Sequence, residues 1–158
     1  MIGYVCKYTP VEVFEAMGVE IGRIQPEVTN FNQADTLMHP NICSFTKSVL
    51  EDVLAGDYEG VVLTTCCDSI RRLYDVLKQQ CPDKFLYLLD VPRKVNDFST
   101  DMYRENILDM VHAYEAFSGK TFDETVLKQL LERREAGQNL RTAPKNKASV
   151  HIGLMGAR

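Results

Sequence analysis

Two stretches restrict this chain more than any others: Gly60-Val61-Val62-Leu63-Thr64 and Phe85-Leu86-Tyr87-Leu88-Leu89, each a nearly unbroken apolar run of five residues. Five residues are too few for a helix, and neither run alternates as a half-exposed strand would, so each reads as a strand covered on both faces. Strands of that kind belong to parallel sheets with helices on both sides, because the connection between parallel neighbours must cross over the sheet.

The rest of the chain supplies the connections. The opening residues 2–6 read as a short strand. Thr9-Pro10-Val11-Glu12 then has the form of a capping box with proline at the first helical position, and Gly18 suits the left-handed end of that helix. Residues 19–24 alternate as a second strand, and residues 25–40 form a long, Asn-rich connection without a period. Phe45, Val49, Val53 and Leu54 are spaced as a helix beginning at Ile42 and closed by Gly56. Ile70, Leu73, Tyr74 and Leu77 mark another between the two apolar strands. Tyr103, Ile107, Met110, Val111, Tyr114 and Phe117 form one face of a longer helix ending at Gly119. Thr121 and Glu124 have the spacing of a second capping box before a last helix with Phe122, Val126, Leu127, Leu130 and Leu131. The expected fold is α/β: an open parallel sheet of about four strands, Rossmann or flavodoxin-like, with flanking helices and a C-terminal helical pair. The expected organisation is one domain over residues 1–137, a basic linker over residues 138–149, and the first strand of a following domain over residues 150–158, although that strand could instead pair at the edge of the same sheet.

Composition narrows the function. At 158 residues, 45% hydrophobic and 25% charged, the chain has ordinary globular proportions for one core. From residue 136 onward it carries Arg141, Lys145, Lys147 and Arg158 and no acid, which leaves 14 basic against 22 acidic residues, a charge of −8, in the first 135. An acidic body argues against nucleic acid as a partner. No apolar run approaches the roughly 18 residues of a membrane helix. Five cysteines cannot all pair, and the N-terminus does not resemble a signal peptide, so a reducing cytoplasm is the expected compartment.

The strand pattern sorts those cysteines. Ligands of an open α/β sheet collect beyond the carboxyl ends of its strands, where helix N-termini also point. Cys6 ends the first strand, Cys43 opens the helix after the second, and Cys66 and Cys67 lie between the third strand and its helix. Cys81 falls at the opposite edge. A single free cysteine reads as a small apolar filler; four converging on one edge, with Cys43 and Cys67 at helix N-termini that favour thiolate, read as metal ligands. Zinc would want four close Cys or His ligands, for which His39 is a candidate, but there is no C-x-x-C. An iron–sulfur cluster accepts scattered cysteines more readily.

The run Gly3-Tyr4-Val5-Cys6-Lys7-Tyr8-Thr9-Pro10-Val11-Glu12-Val13-Phe14-Glu15-Ala16-Met17-Gly18 resembles the opening of 2-hydroxyacyl-CoA dehydratase subunits of the 2-hydroxyglutaryl-CoA dehydratase D-component type, which are related to benzoyl-CoA reductase subunits. Pro40-Asn41-Ile42-Cys43-Ser44 and Thr64-Thr65-Cys66-Cys67-Asp68-Ser69-Ile70-Arg71-Arg72 are similar to family segments, and Ile152-Gly153-Leu154-Met155-Gly156 is similar to the opening of the family's second domain. The resemblance implies an anaerobic, iron–sulfur (4Fe-4S or larger) lyase. In it, an ATP-dependent activator protein delivers one electron to the cluster. The cluster passes that electron to the carbonyl of an acyl-CoA substrate, and the resulting ketyl radical permits dehydration. It further implies a second dehydratase subunit or domain as partner. Cys43 and Cys67 match the cluster ligands of the family's first domain, Cys6 matches a cysteine of some branches, and Cys66 is an additional neighbour. Without the second domain, a labile cluster or none is expected, and no catalysis by this polypeptide alone. Asp68 is expected to cap its helix. Arg71 and Arg72 read as surface cations, whereas Arg93 and Lys94 could meet a CoA phosphate or simply lie in a solvated loop. A component of a double-cubane-type reductase, and a stand-alone zinc- or partner-binding module, are the alternatives.

Overall fold

A computed structural model describes residues 1–28 and 30–139, the last two as backbone only. Four strands, β1 (Ile2–Tyr4), β2 (Ile21–Arg23), β3 (Gly60–Thr64) and β4 (Phe85–Leu89), form one sheet in the order β2-β1-β3-β4. All three pairings are parallel, with Ile2 opposite Ile21 and Gly60, and Gly60 opposite Phe85. Six helices accompany the strands among the described residues: α1 (Val11–Ala16), α2 (Asn32–Leu37), α3 (Ser44–Ala55), α4 (Asp68–Gln80), α5 (Asp97–Ser118) and α6 (Glu124–Asn139). None is long and apolar enough to cross a membrane.

The two unbroken runs differ: β3 is covered on both faces, whereas β4 lies at the edge of the sheet and keeps Leu86, Tyr87 and Leu88 half-buried. Every residue of β3 is buried, and its side chains divide by parity. Val61 and Leu63 enter a core with Val49, Leu50 and Val53 of α3 and Ile70, Leu73 and Leu77 of α4. Val62 enters the opposite core with Phe14 of α1 and Met110 and Tyr114 of α5. Tyr114 is wholly buried and meets Phe14 and Phe85 edge-on, with ring centroids 5.2 and 4.9 Å away. The C-terminal pair adds α6 against α1, where Arg134 donates to both carboxylate oxygens of Glu15 at 2.8 and 2.7 Å and also pairs with Glu12.

Helix ends depart from expectation in several places. Thr9 does not cap α1: its backbone N–H closes a turn on Cys6 O at 3.0 Å, Pro10 takes the cap position, and the Thr9 hydroxyl is buried without a partner. Thr121 does not cap α6 either. Asp123 does so, accepting from Thr125 N at 2.7 Å, and this bond holds its carboxyl below the usual range. Asp68 is the first residue of α4 rather than its cap, which is Cys67. Helix α5 begins at Asp97, well before Tyr103, because Asn96 and Ser99 form a reciprocal capping box. Strand β2 spans three residues of the expected six. Helix α2 occupies part of the connection expected to be irregular, and its N-terminal amides at Gln33 and Ala34 are met by the Glu51 carboxylate of α3 at 2.7 and 2.8 Å. Gly18 and Gly119 end their helices with φ of +65° and +70°, a conformation open to glycine at little cost. Helix α6 runs two residues past the expected boundary at 137. The rest of the expected linker and the strand over residues 150–156 lie outside the described residues.

Candidate functional site

Strand order 2-1-3-4 reverses direction between β1 and β3, and the crevice beyond the carboxyl ends of such a pair is where open α/β sheets bind ligands. Four cysteines meet there. Cys6 follows β1, Cys66 and Cys67 follow β3, and Cys43 and Cys67 are the cap residues of α3 and α4. All four line one cavity of about 290 Å³, together with Lys7, Tyr8, Phe45, Thr46 and Ile70. Cys43, Cys66 and Cys67 are exposed, Cys6 is half-buried, and all are free thiols. Cys81 is buried in the core at the other edge, as the strand pattern requires.

The thiols are not equivalent. Partial burial raises the Cys43 pKa, but hydrogen bonds from the Thr46 hydroxyl and N–H, the Ser69 hydroxyl and the Phe45 N–H outweigh it and pull this thiol below its ordinary value. The Cys43 sulfur lies 3.1 Å from Thr46 Oγ1. Cys66 is pushed up, first by burial and then by the negative charge that Cys6 and Cys67 carry when ionised. The N-termini of two long helices, α3 and α4, add positive potential at Cys43 and Cys67. Lys7 lies in the same wall, with Nζ 5.1 Å from the Tyr8 ring centre.

Among the described residues, no three His, Cys, Asp or Glu side chains gather tightly enough to hold one metal ion. His39 is exposed, stands apart from the cavity, and accepts from Asn41 N through Nδ1 at 3.2 Å. The four thiols face a common space instead of a common point. That donor set suits a soft, polynuclear group whose metal atoms each take a separate thiolate.

A second cavity of about 570 Å³ adjoins the first and shares Tyr8 and Cys66 with it. Arg93 and Lys94, both exposed, lie in its wall with Thr65, Ser99, Thr100 and Tyr103. Tyr103 donates from its hydroxyl to Tyr8 O at 2.6 Å, and burial, with the Cys6 and Glu12 charges after it, raises its pKa. Arg71 and Arg72 line neither cavity; Arg72 pairs with Asp75 on the surface at 3.2 Å. Sequence reasoning overlooked Lys7, Tyr8, Thr46, Thr65 and Tyr103. The first two were signalled by their position directly after Cys6, and Thr65 by its position directly before Cys66; Tyr103 had only its helical spacing.

Residues 6–148 match the family described as 2-hydroxyglutaryl-CoA dehydratase, D-component. The (R)-phenyllactyl-CoA dehydratase beta subunit of Clostridium sporogenes is 27% identical over 139 residues, a match that covers 83% of this chain and 36% of that subunit. The chain thus spans about a third of the length of the curated relative it matches. The four cavity cysteines all fall within the matched residues, and the chain belongs to the 2-hydroxyglutaryl-CoA dehydratase D-component family.

Proposed function

We propose that this chain is the N-terminal, cluster-holding part of a 2-hydroxyacyl-CoA dehydratase subunit. Cys43 and Cys67 would hold an iron–sulfur group, with Cys6 and then Cys66 as further ligands. The observation that carries this reading is the convergence of four of the five cysteines on one cavity at the strand switch point. When bound, such a group supplies single-electron chemistry to a CoA thioester, and a dehydration made possible in that way consumes no net electrons.

The chain's own residues have separate tasks. Thr46 favours the thiolate form of Cys43, the form that would bind iron. Arg93 and Lys94 offer cations to the CoA phosphates from the adjoining cavity, where charge-assisted bonds are the strong ones. Tyr8 and Cys66 form the shared wall, so an acyl group in the larger cavity lies next to the thiols. A second subunit or domain would close the open side, which is consistent with the beta-subunit name of the relative. An ATP-hydrolysing activator would deliver the electron, and free thiols of this kind call for a reducing compartment such as the cytoplasm.

Anaerobic reconstitution with iron and sulfide tests the assignment. The wild-type chain should acquire a cluster absorption that fades in air, and a Cys43→Ala, Cys67→Ala double variant should not. A stable, stoichiometric cluster in the double variant overturns the ligand assignment. Having Cys6 and Cys66 in the same wall favours a cluster larger than one cube as the second reading, as in a double-cubane-type reductase, and the iron count separates the two.

A further inference from the structure

The turn that carries Cys66 and Cys67 and the loop that carries Arg93 and Lys94 leave neighbouring strands, and one side chain joins them. Thr65 is 6% exposed. Its N–H donates to Leu89 O at 3.0 Å, extending the β3–β4 ladder by one bond. Its hydroxyl donates to Asp90 Oδ1 and accepts from Val91 N at 3.2 Å, so both of its polar functions are used across the gap. Asp90 is held in turn by Asn106 of α5, whose Nδ2 donates to Asp90 O at 3.1 Å. Thr65 therefore ends with Cys66 on one side and, through Asp90 and Val91, the cationic loop on the other. Cys66 is also one of the two residues shared by both cavities.

We infer that Thr65 and Asp90 form a clasp that fixes the cysteine turn against the cationic loop, so that occupancy of the larger cavity is felt at Cys66 and Cys67. Both are positioning residues, because each acts through the turn and the loop that it joins. The functional meaning of the clasp rests on the reading of the two cavities given above; its existence does not. Valine has the shape of threonine but neither donates nor accepts, so Thr65→Val leaves Val91 N–H and Asp90 Oδ1 without their partner while preserving the packing. Thr65→Ser keeps the hydroxyl.

Amide hydrogen exchange on the full metal-free chain, resolved by residue, tests the clasp with adenosine 3′,5′-bisphosphate as the probe of the cationic cavity. Thr65→Val should raise exchange at residues 65–67 and 90–94 together by about fivefold, the equivalent of one neutral hydrogen bond. It should leave the strand centres at 61–63 and 86–88 unchanged, and Thr65→Ser should restore the wild-type pattern. The bisphosphate should slow exchange at residues 65–67 in the wild type and no longer do so in Thr65→Val. Exchange that rises in one segment only, rises across the strand centres, or fails to recover with serine overturns the clasp. If the bisphosphate does not bind wild type but the two segments still loosen together, the clasp stands and the reading of the cavity falls. If it binds and slows residues 65–67 equally in wild type and Thr65→Val, the coupling is overturned and the reading of the cavity survives.

Discussion

At the amino edge of the sheet Cys81 is sunk in the core, whereas at the carboxyl edge Cys43, Cys66 and Cys67 are exposed and face a shared cavity. The surroundings differ as much as the thiols. At the amino edge polar groups close on one another: Lys84 Nζ donates to Tyr58 O at 2.7 Å, the Tyr58 hydroxyl to Asp52 at 2.7 Å, and the Tyr114 hydroxyl to Glu59 at 2.9 Å. At the carboxyl edge the cations Lys7, Arg93 and Lys94 are exposed around open space. Paired polar groups and a buried thiol thus mark one end of the strands, and exposed thiols and cations around a cavity mark the other.

The largest expected effect sets the edges against each other. Tyr114→Ala should cost about 4 kcal/mol in urea unfolding, because it empties a site between Phe14 and Phe85 as well as removing a hydrogen bond. Cys6→Ser, Cys43→Ser, Cys66→Ser and Cys67→Ser combined should cost the metal-free chain less than about 1 kcal/mol, as surface substitutions do. A comparable loss from the four serines would erase the distinction.

An intermediate effect concerns alkaline pH. The Tyr58 and Tyr114 hydroxyls are both pushed up to about 12, by burial first and then by the carboxylates of Asp52 and Glu59 that they meet. A tyrosine in the unfolded chain ionises near 10. With the folded value raised, their contribution is complete below about pH 10 and is lost as pH rises through about 12. Melting temperatures should therefore fall over that interval. A Tyr58→Phe, Tyr114→Phe double variant, less stable at neutral pH, should show a flatter fall, and an unchanged slope would locate the alkaline sensitivity elsewhere.

The smallest effect sharpens the comparison within the carboxyl edge. Iodoacetamide at neutral pH should label Cys43 a few-fold faster than Cys66, since one thiol is lowered and the other raised. Thr46→Val, by removing the hydroxyl 3.1 Å from the Cys43 sulfur, should narrow the gap. Equal rates in the wild type would contradict the inequality of the thiols.

What could be read from the chain beforehand followed from alternation. Strand β3 announced itself because burial on both faces leaves no polar position, and β4 because its apolar run packs on both sides although its three central residues are only half-buried; once strands and helices alternate, each cysteine's edge is settled by which element it follows. Features made by remote partners stayed hidden. Helix α2 buries only Ala34 among its residues, and the carboxylate that meets its first amides belongs to Glu51, on the next helix. Thr9 and Thr121 had the right neighbours for capping boxes but the wrong register, since a one- or two-residue shift of the helix start places the hydroxyl out of reach. The adjoining of the two cavities through Tyr8 and Cys66 depends on how three loops lie together, which no local pattern encodes.

The pairing of Ile2 with Gly60 has a consequence for the order of events during synthesis. The first strand leaves the ribosome long before its inner neighbour, and closing so large a loop is among the slower steps available to a chain of this size. Until β3 docks beside β1, Cys6 and the Cys66-Cys67 pair belong to distant parts of a fluctuating polymer. The thiol-lined cavity is thus a product of completed folding, and whatever enters it meets a finished scaffold.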